Sequence, residues 1–315
     1  MKHKLPIILA GPTASGKTEV ALRLARLLGG EIISCDSRQI YKYLNAGTAA
    51  PEGAWEGGFY KVDGAIYHLV DFLDPAQSYD VSQFTEAAKE ITAAKPDAPF
   101  IFAGGTGMYI QSYFTGMDKL PRGDAGLRAE LSFLVNQHGK EALHARLAAV
   151  DAQSAREIPA GNVQRVMRAM EIYLLTGRPA SVLRTGKFST DISPAKACFV
   201  YLNWEKEALN KRIEERSAQI LEPMIEETAA LLARGYKEDA PGLKSLGYRQ
   251  AVAVIKGQSG KKEALDSLIT LTRRYAKRQR TWFARYRDIY KIDLNSRQDF
   301  DPQETARRIL RLRGV

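Results

Sequence analysis

The sequence predicts an α/β fold: a P-loop core with a parallel sheet flanked by helices, plus a helical insertion domain. Three observations carry this expectation. A short apolar run near the start leads straight into a glycine loop and a helical period. Two further strand-like runs, residues 31–35 and 99–103, end in polar or glycine-rich turns. From residue 121 to about 195 the pattern becomes helical, and a strand-like run returns at residues 197–204.

The first run, Leu5-Pro-Ile-Ile-Leu-Ala10, is continuously apolar, as a strand buried on both faces of a parallel sheet must be. It is too short for a signal peptide and runs into Gly11-Pro12-Thr13-Ala14-Ser15-Gly16-Lys17-Thr18. Val20, Ala21, Leu24, Leu27 and Leu28 then share one helical face, which Gly29-Gly30 stops. Strand, GxxxxGK[ST] and helix in that order are the context a phosphate-binding loop requires. Its glycines let backbone N–H groups approach an anion, Lys17 adds a point charge, and Thr18 can hold Mg²⁺. All eight residues from Gly11 to Thr18 are therefore expected to bind a diphosphate or triphosphate.

The second strand ends at Asp36-Ser37, beside that loop, where ligands bind in open α/β sheets. Asp36 with Gln39 also reads as a D-x-x-Q capping box for a following helix. The third strand runs into Gly104-Gly105-Thr106-Gly107 and a helix from Met108 to Phe114. A P-loop kinase or ATPase usually supplies an acid near such a strand end to organise Mg²⁺ and water. Here there are only glycines and a threonine, so phosphates are held without the usual phosphoryl-transfer apparatus.

Composition narrows the partners. The 315 residues carry 46 Lys plus Arg against 36 Asp plus Glu, a net +10, which favours an acidic partner such as nucleic acid. Cys35 and Cys198 form no CxxC pair and the four histidines have no ligand spacing, which argues against structural zinc and a disulfide framework. No run approaches the roughly 18 apolar residues of a membrane span. A cytoplasmic protein without membrane partners is expected.

Ordered motifs make the pattern more specific. The glycine loop, Ser34-Cys-Asp-Ser-Arg-Gln-Ile-Tyr41, Gly47-Thr-Ala-Ala-Pro51, His68-Leu-Val-Asp71, Gly104-Gly-Thr-Gly-Met-Tyr109, Asn162-Val-Gln-Arg-Val-Met-Arg-Ala169, Leu246-Gly-Tyr-Arg249 and Thr272-Arg-Arg-Tyr-Ala-Lys-Arg-Gln-Arg-Thr-Trp-Phe283 follow one another. Together they resemble the bacterial tRNA dimethylallyltransferases (the tRNA isopentenyltransferase family) over nearly the whole chain. Ala50, where the family pattern has lysine, Ile220-Leu-Glu-Pro-Met-Ile225, and Ala284 before Arg285 depart from it.

The resemblance implies transfer of a dimethylallyl group from dimethylallyl diphosphate to N6 of the adenine at tRNA position 37, just 3′ of the anticodon, with Mg²⁺ and release of diphosphate. It implies catalytic roles for Asp36, Thr106 and Arg216. Asp36 suits a carboxylate that accepts the amine proton, because an exocyclic adenine amine is a poor nucleophile. Arg216 suits a diphosphate clamp, and Arg212 lies one helical turn before it. The RNA contacts implied are Asp36, Ser37, Arg38, Gln39, Thr106, Arg128, Gln164, Arg165, Val166, Met167, Arg168, Arg249, Lys277, Arg278, Gln279 and Trp282. The partner expected is a tRNA anticodon stem-loop, and the enzyme is expected to be a monomer.

Two regions look built for RNA. Residues 121–195 carry 10 Lys plus Arg against 7 Asp plus Glu and read as a tRNA-binding insertion, leaving 1–120 and 196–315 as the catalytic core. Helices are expected over 125–137, 140–150 and 162–175. Residues 270–287 hold seven Lys and Arg and no acid, interleaved with Tyr275, Trp282, Phe283 and Tyr286, so cations can grip phosphates and rings can stack on bases. The same pattern also fits an amphipathic helix with its aromatics in the core. Rival readings are a nucleotide or nucleoside kinase, a non-catalytic RNA-binding P-loop protein, and a free-nucleotide prenyltransferase, which would need neither basic region.

Overall fold

A computed structural model describes residues 5–118, 120–184, 192–296 and 300–314. The chain divides into two compact units, Met1–Phe114 with Thr190–Val315, and Thr115–Ser189.

In the larger unit the first apolar run is β1 (Ile7–Ala10), buried at every position. It lies between β6 (Phe100–Gly104) and β7 (Cys198–Trp204) and runs parallel to both. The full order is β3-β4-β5-β2-β6-β1-β7-β8, with β2 at Glu31–Ser34 and β8 at Tyr290–Leu294. The edge is antiparallel: β3 (Ala54–Glu56), β4 (Phe59–Val62) and β5 (Ala65–His68) form tight hairpins, with Gly57, Gly58, Asp63 and Gly64 in left-handed turn conformations. Sequence patterning did not reveal these strands, because they are partly exposed and lack the continuous apolar run that marks β1.

Helices cover both faces of the sheet. On one side α1 (Lys17–Leu28) buries Val20, Ala21, Leu24 and Ala25 and stops at Gly29, whose φ is 58°. On the other side the core contains Phe84 of α3 (Val81–Ala94), Tyr109, Ile110 and Phe114 of α4 (Gly107–Thr115), and Phe283. A second cluster joins α9 (Lys206–Ala233), α10 (Tyr248–Ile255) and α11 (Lys261–Phe283) to Ile40, Tyr41 and Leu44. The tail after Tyr290, which the sequence left unassigned, supplies β8 and α12 (Pro302–Arg313); Ala306 and Ile309 of α12 join the core that contains α1.

The smaller unit is helical. Its elements are α5 (Ala125–Val150), α6 (Ala152–Glu157), α7 (Val163–Thr176) and α8 (Ala180–Leu183), and α2 (Asn45–Thr48) is the remaining short helix of the larger unit. Gly139 breaks α5 with φ 82° and ψ 166°, so it is two helices meeting at a kink, as the glycine predicts. Leu131, Leu143, Leu147, Val166, Ala169 and Ile172 form the core of this unit. Among the described residues no helix is long and apolar enough to cross a membrane.

Candidate active site

Neighbouring strands deliver the site. Because β2, β6 and β1 are adjacent and parallel, their C-terminal ends bring Asp36, the Gly104–Gly107 turn and the glycine loop to one edge. The β6 end comes so near β2 that a Cβ on Gly104 would stand 2.1 Å from the Cys35 carbonyl oxygen. Only glycine permits that approach. Thr106 N–H then donates to Cys35 O at 3.0 Å, and Thr106 Oγ1 accepts from Ser37 N–H at 3.1 Å.

Asp36 is held as a turn residue, with Oδ1 accepting from Arg38 N–H at 2.8 Å. The expected capping box is absent, since residues 35–44 form no helix. Gln39 turns inward instead: its Oε1 accepts from Ser34 Oγ at 3.0 Å and its Nε2 donates to Ala49 O at 2.9 Å. Its side chain is therefore a buried link within the protein, and what surface it keeps borders the cleft beside Asp36.

Lys17 Nζ donates to Pro12 O at 2.7 Å, folding the glycine loop around its own ammonium. No side chain caps α1 at Gly16, so the first-turn N–H groups are left to an anion. Arg216 reaches in from α9, and its guanidinium lies 3.4 Å from Thr13 Oγ1. The resulting cleft has a volume of about 440 Å³, and residues 13–18, Asp36, Ala103, Gly104 and Arg216 line it. Burial lowers the Lys17 ammonium to about 8, with Arg216 adding to the effect and Asp36 opposing it. Burial likewise lowers Arg216. Two desolvated cations facing one cleft mark a site arranged for a polyanion.

Two further residues support the loops from within the protein. Arg212 also lines the cleft, but its Nε donates to the Ala14 carbonyl at 2.8 Å, so it supports the glycine loop. Gln279, expected to touch RNA, is buried: Oε1 accepts from Thr13 N–H at 2.8 Å and Nε2 donates to Gly105 O at 3.1 Å. It ties the two loops together, and the little surface it keeps is at the cleft. No acid stands at the β6 end, and Glu205 after β7 caps α9 by accepting from the Glu207 and Ala208 N–H groups. The strand-end acid that lines the cleft is Asp36, after β2.

The family model described as IPP transferase matches residues 39–286. A protein named tRNA dimethylallyltransferase from Elusimicrobium minutum is 53% identical over 93% of this chain and 97% of its own length. One of the same name from Myxococcus xanthus is 39% identical, covering 90% of each chain. The structure of a full-length tRNA isopentenylpyrophosphate transferase from Bacillus halodurans superposes with a TM-score of 0.67 at 32% identity, covering 99% of this chain and 97% of that one. The chain belongs to the tRNA dimethylallyltransferase family.

In this family member the basic helix α11 is amphipathic. Arg274, Lys277 and Arg278 are exposed, as are Arg285 and Arg287 just beyond it, while Phe283 and Tyr286 are buried. Those two rings are core and cannot stack on bases. Trp282 is half-buried, with the Arg285 guanidinium 3.8 Å above its ring. Arg249 is exposed, and Ser37 and Arg38 are half-buried.

Within the smaller unit Gln164 and Arg165 are exposed and Met167 is half-buried. Val166, another expected RNA contact, is 1% exposed and belongs to the core, so its side chain is closed to a ligand. Arg128 and Arg168 converge on the buried carboxylate of Glu171, with Arg128 Nε 2.9 Å from Oε1 and Arg168 within 2.5 Å of Oε2. Asp124 N–H adds a bond at 2.6 Å. Burial would raise the Glu171 carboxyl, but Arg168, Asp124 N–H and Arg128 outweigh it and hold it below the usual range. Sequence reasoning missed Glu171, whose signal is its i,i+3 spacing from Arg168.

Proposed function

We propose that this chain transfers the dimethylallyl group of dimethylallyl diphosphate to N6 of the adenine at tRNA position 37, recognised within the anticodon stem-loop. The observation that carries the reading is a carboxylate, Asp36, in the same cleft as Lys17, Arg216 and an uncapped helix start. The diphosphate sits on the glycine loop, where first-turn N–H groups, Lys17 and Arg216 stabilise the charge that grows as the C1–O bond breaks. N6 bonds to C1, its proton passes to the Asp36 carboxylate, and diphosphate leaves. Thr106, bonded to Ser37 N–H, keeps the Asp36 turn in register.

Mg²⁺ fits this donor set. Thr18 lines the cleft, and Mg²⁺ commonly takes one or two protein oxygens and completes its shell with phosphate oxygens and water. Thr18 would hold it, and the ion would neutralise charge on the leaving diphosphate. The exposed cations of α11, Arg249, and Gln164 and Arg165 in the smaller unit supply surfaces suited to RNA phosphates and bases.

Single-turnover labelling tests the reading. Protein, Mg²⁺ and labelled dimethylallyl diphosphate are mixed with an unmodified anticodon stem-loop, with free AMP, or with the stem-loop and γ-labelled ATP in place of the donor. The expected result is label in the stem-loop alone, reduced by roughly 10²–10⁴-fold in Asp36→Ala with RNA still bound. Label on AMP would mean a free-nucleotide prenyltransferase, and phosphate transfer without prenyl transfer would mean a kinase.

A further inference from the structure

The carbonyls of the glycine loop are held by a cluster that no motif marks: Trp204 and Phe300 stand outside the cleft lining, while Arg212 reaches its edge. Trp204, the last residue of β7 and 2% exposed, donates its indole Nε1–H to Ser15 O at 3.0 Å. Arg212 Nε donates to Ala14 O at 2.8 Å. The Arg212 guanidinium lies over a pair of tilted rings that touch each other, 4.5 Å from the Trp204 centroid and 5.1 Å from that of Phe300, the two centroids being 5.5 Å apart. Phe300, which leads into α12, packs on the loop so closely that a Cβ on Gly16 would stand 2.1 Å from its Cζ.

These contacts bear on anion binding through peptide geometry. The C=O and N–H of a trans peptide point in opposite directions. Fixing Ser15 O on the Trp204 side therefore turns Gly16 N–H the opposite way, and Gly16 lines the cleft. Ala14 has φ 62° and Gly16 φ 82°, left-handed values that alanine adopts only at a cost. Bonds to the carbonyls of residues 14 and 15 hold the loop in this conformation, and the ring pair keeps Arg212 in place.

We propose that Trp204, Arg212 and Phe300 are positioning residues that preorganise the phosphate loop through its carbonyls, making the C-terminal segment part of diphosphate recognition. The proposal rests on the reading of this cleft as the diphosphate site. Loss of a brace leaves the N–H groups present but no longer aimed together, so affinity for the anion falls while RNA binding does not. The attraction of both ring faces for the guanidinium keeps Arg212 available to the carbonyl.

The experiment measures binding of Mg²⁺-pyrophosphate by calorimetry, stem-loop affinity, the donor KM and the thermal midpoint. Trp204→Phe keeps a ring but loses the Nε1–H donor. Phe300→Ala removes one ring of the pair, and Phe300→Tyr restores a ring face. Trp204→Phe and Phe300→Ala are each expected to weaken pyrophosphate roughly 5- to 10-fold, from the loss of about one net hydrogen bond or ring contact. Donor KM should rise in parallel, with stem-loop affinity unchanged and Phe300→Tyr close to wild type. Wild-type pyrophosphate affinity in folded Phe300→Ala and Trp204→Phe would overturn the proposal, as would equal loss of RNA and pyrophosphate binding. If Trp204→Phe does not fold, the Phe300 pair decides alone. Failure of the functional reading is distinct: the wild-type enzyme itself would bind no pyrophosphate or transfer no prenyl group.

Discussion

Replacing Gln279 with leucine separates an internal brace from an RNA contact. The side chain is 5% exposed and joins Thr13 N–H to Gly105 O across 2.8 and 3.1 Å. Leucine keeps much of the volume but leaves a donor on one loop and an acceptor on the other unpaired. Each unsatisfied buried group costs about 1–3 kcal/mol. Because the Thr13 end is only partly buried, the sum falls at about 2–4 kcal/mol. Gln279→Glu offers Thr13 an acceptor but turns its second oxygen against the Gly105 carbonyl, so it is expected to be no better. Chemical denaturation reads the stability, steady-state kinetics the donor KM, and stem-loop titration the RNA affinity. The brace predicts lower stability and a higher donor KM with RNA affinity intact. Unchanged stability with weakened RNA binding would refute it and return Gln279 to the RNA-contact role expected from sequence.

Other expectations follow from the same geometry. Lys17 titrates at about 8 in the fold against 10.5 ordinarily, so between these values the unfolded chain holds more protons and stability of the ligand-free protein rises with pH. Bound pyrophosphate should restore the charge, and calorimetry at pH ~9 in buffers of different ionisation enthalpy should detect proton uptake; no uptake would exclude Lys17 from the anion site. Glu171, held below 4.5, contributes stability that is present above that pH and lost as pH falls through its folded value. Glu171→Gln should cost about 1–2 kcal/mol at neutral pH, discounted because Arg128 is half-exposed, and should flatten the acid limb of a stability–pH curve. Removing Lys277 by alanine should reduce the slope of log stem-loop affinity against log salt by about 0.7–0.9, and an unchanged slope would remove it from the RNA surface.

Features that depend on short-range pattern were legible in the sequence. A continuous apolar run, a GxxxxGKT loop and an amphipathic period specify strand, anion loop and helix, because φ/ψ preference and hydrophobic spacing act within a dozen residues. Asp36 and Thr106 could be assigned to ligand-facing strand ends for the same reason, and the kink at Gly139 follows from one residue. What the local pattern could not decide was how a polar side chain spends its hydrogen bonds. Gln39 and Gln279 read as RNA contacts, yet folding places each between two loops that are distant in sequence, and burial then requires both ends of the amide to be satisfied. Val166 and Phe283 sit in motifs full of cations, but their helix faces turn inward. Trp204, Arg212 and Phe300 span nearly a hundred residues and meet only because β7, α9 and the segment before α12 converge behind β1. The sequence by itself determined the phosphate loop, the acid beside it and the basic helix. Tertiary structure alone decided which polar residues face a ligand and which hold the ligand loops in shape, because that depends on long-range neighbours.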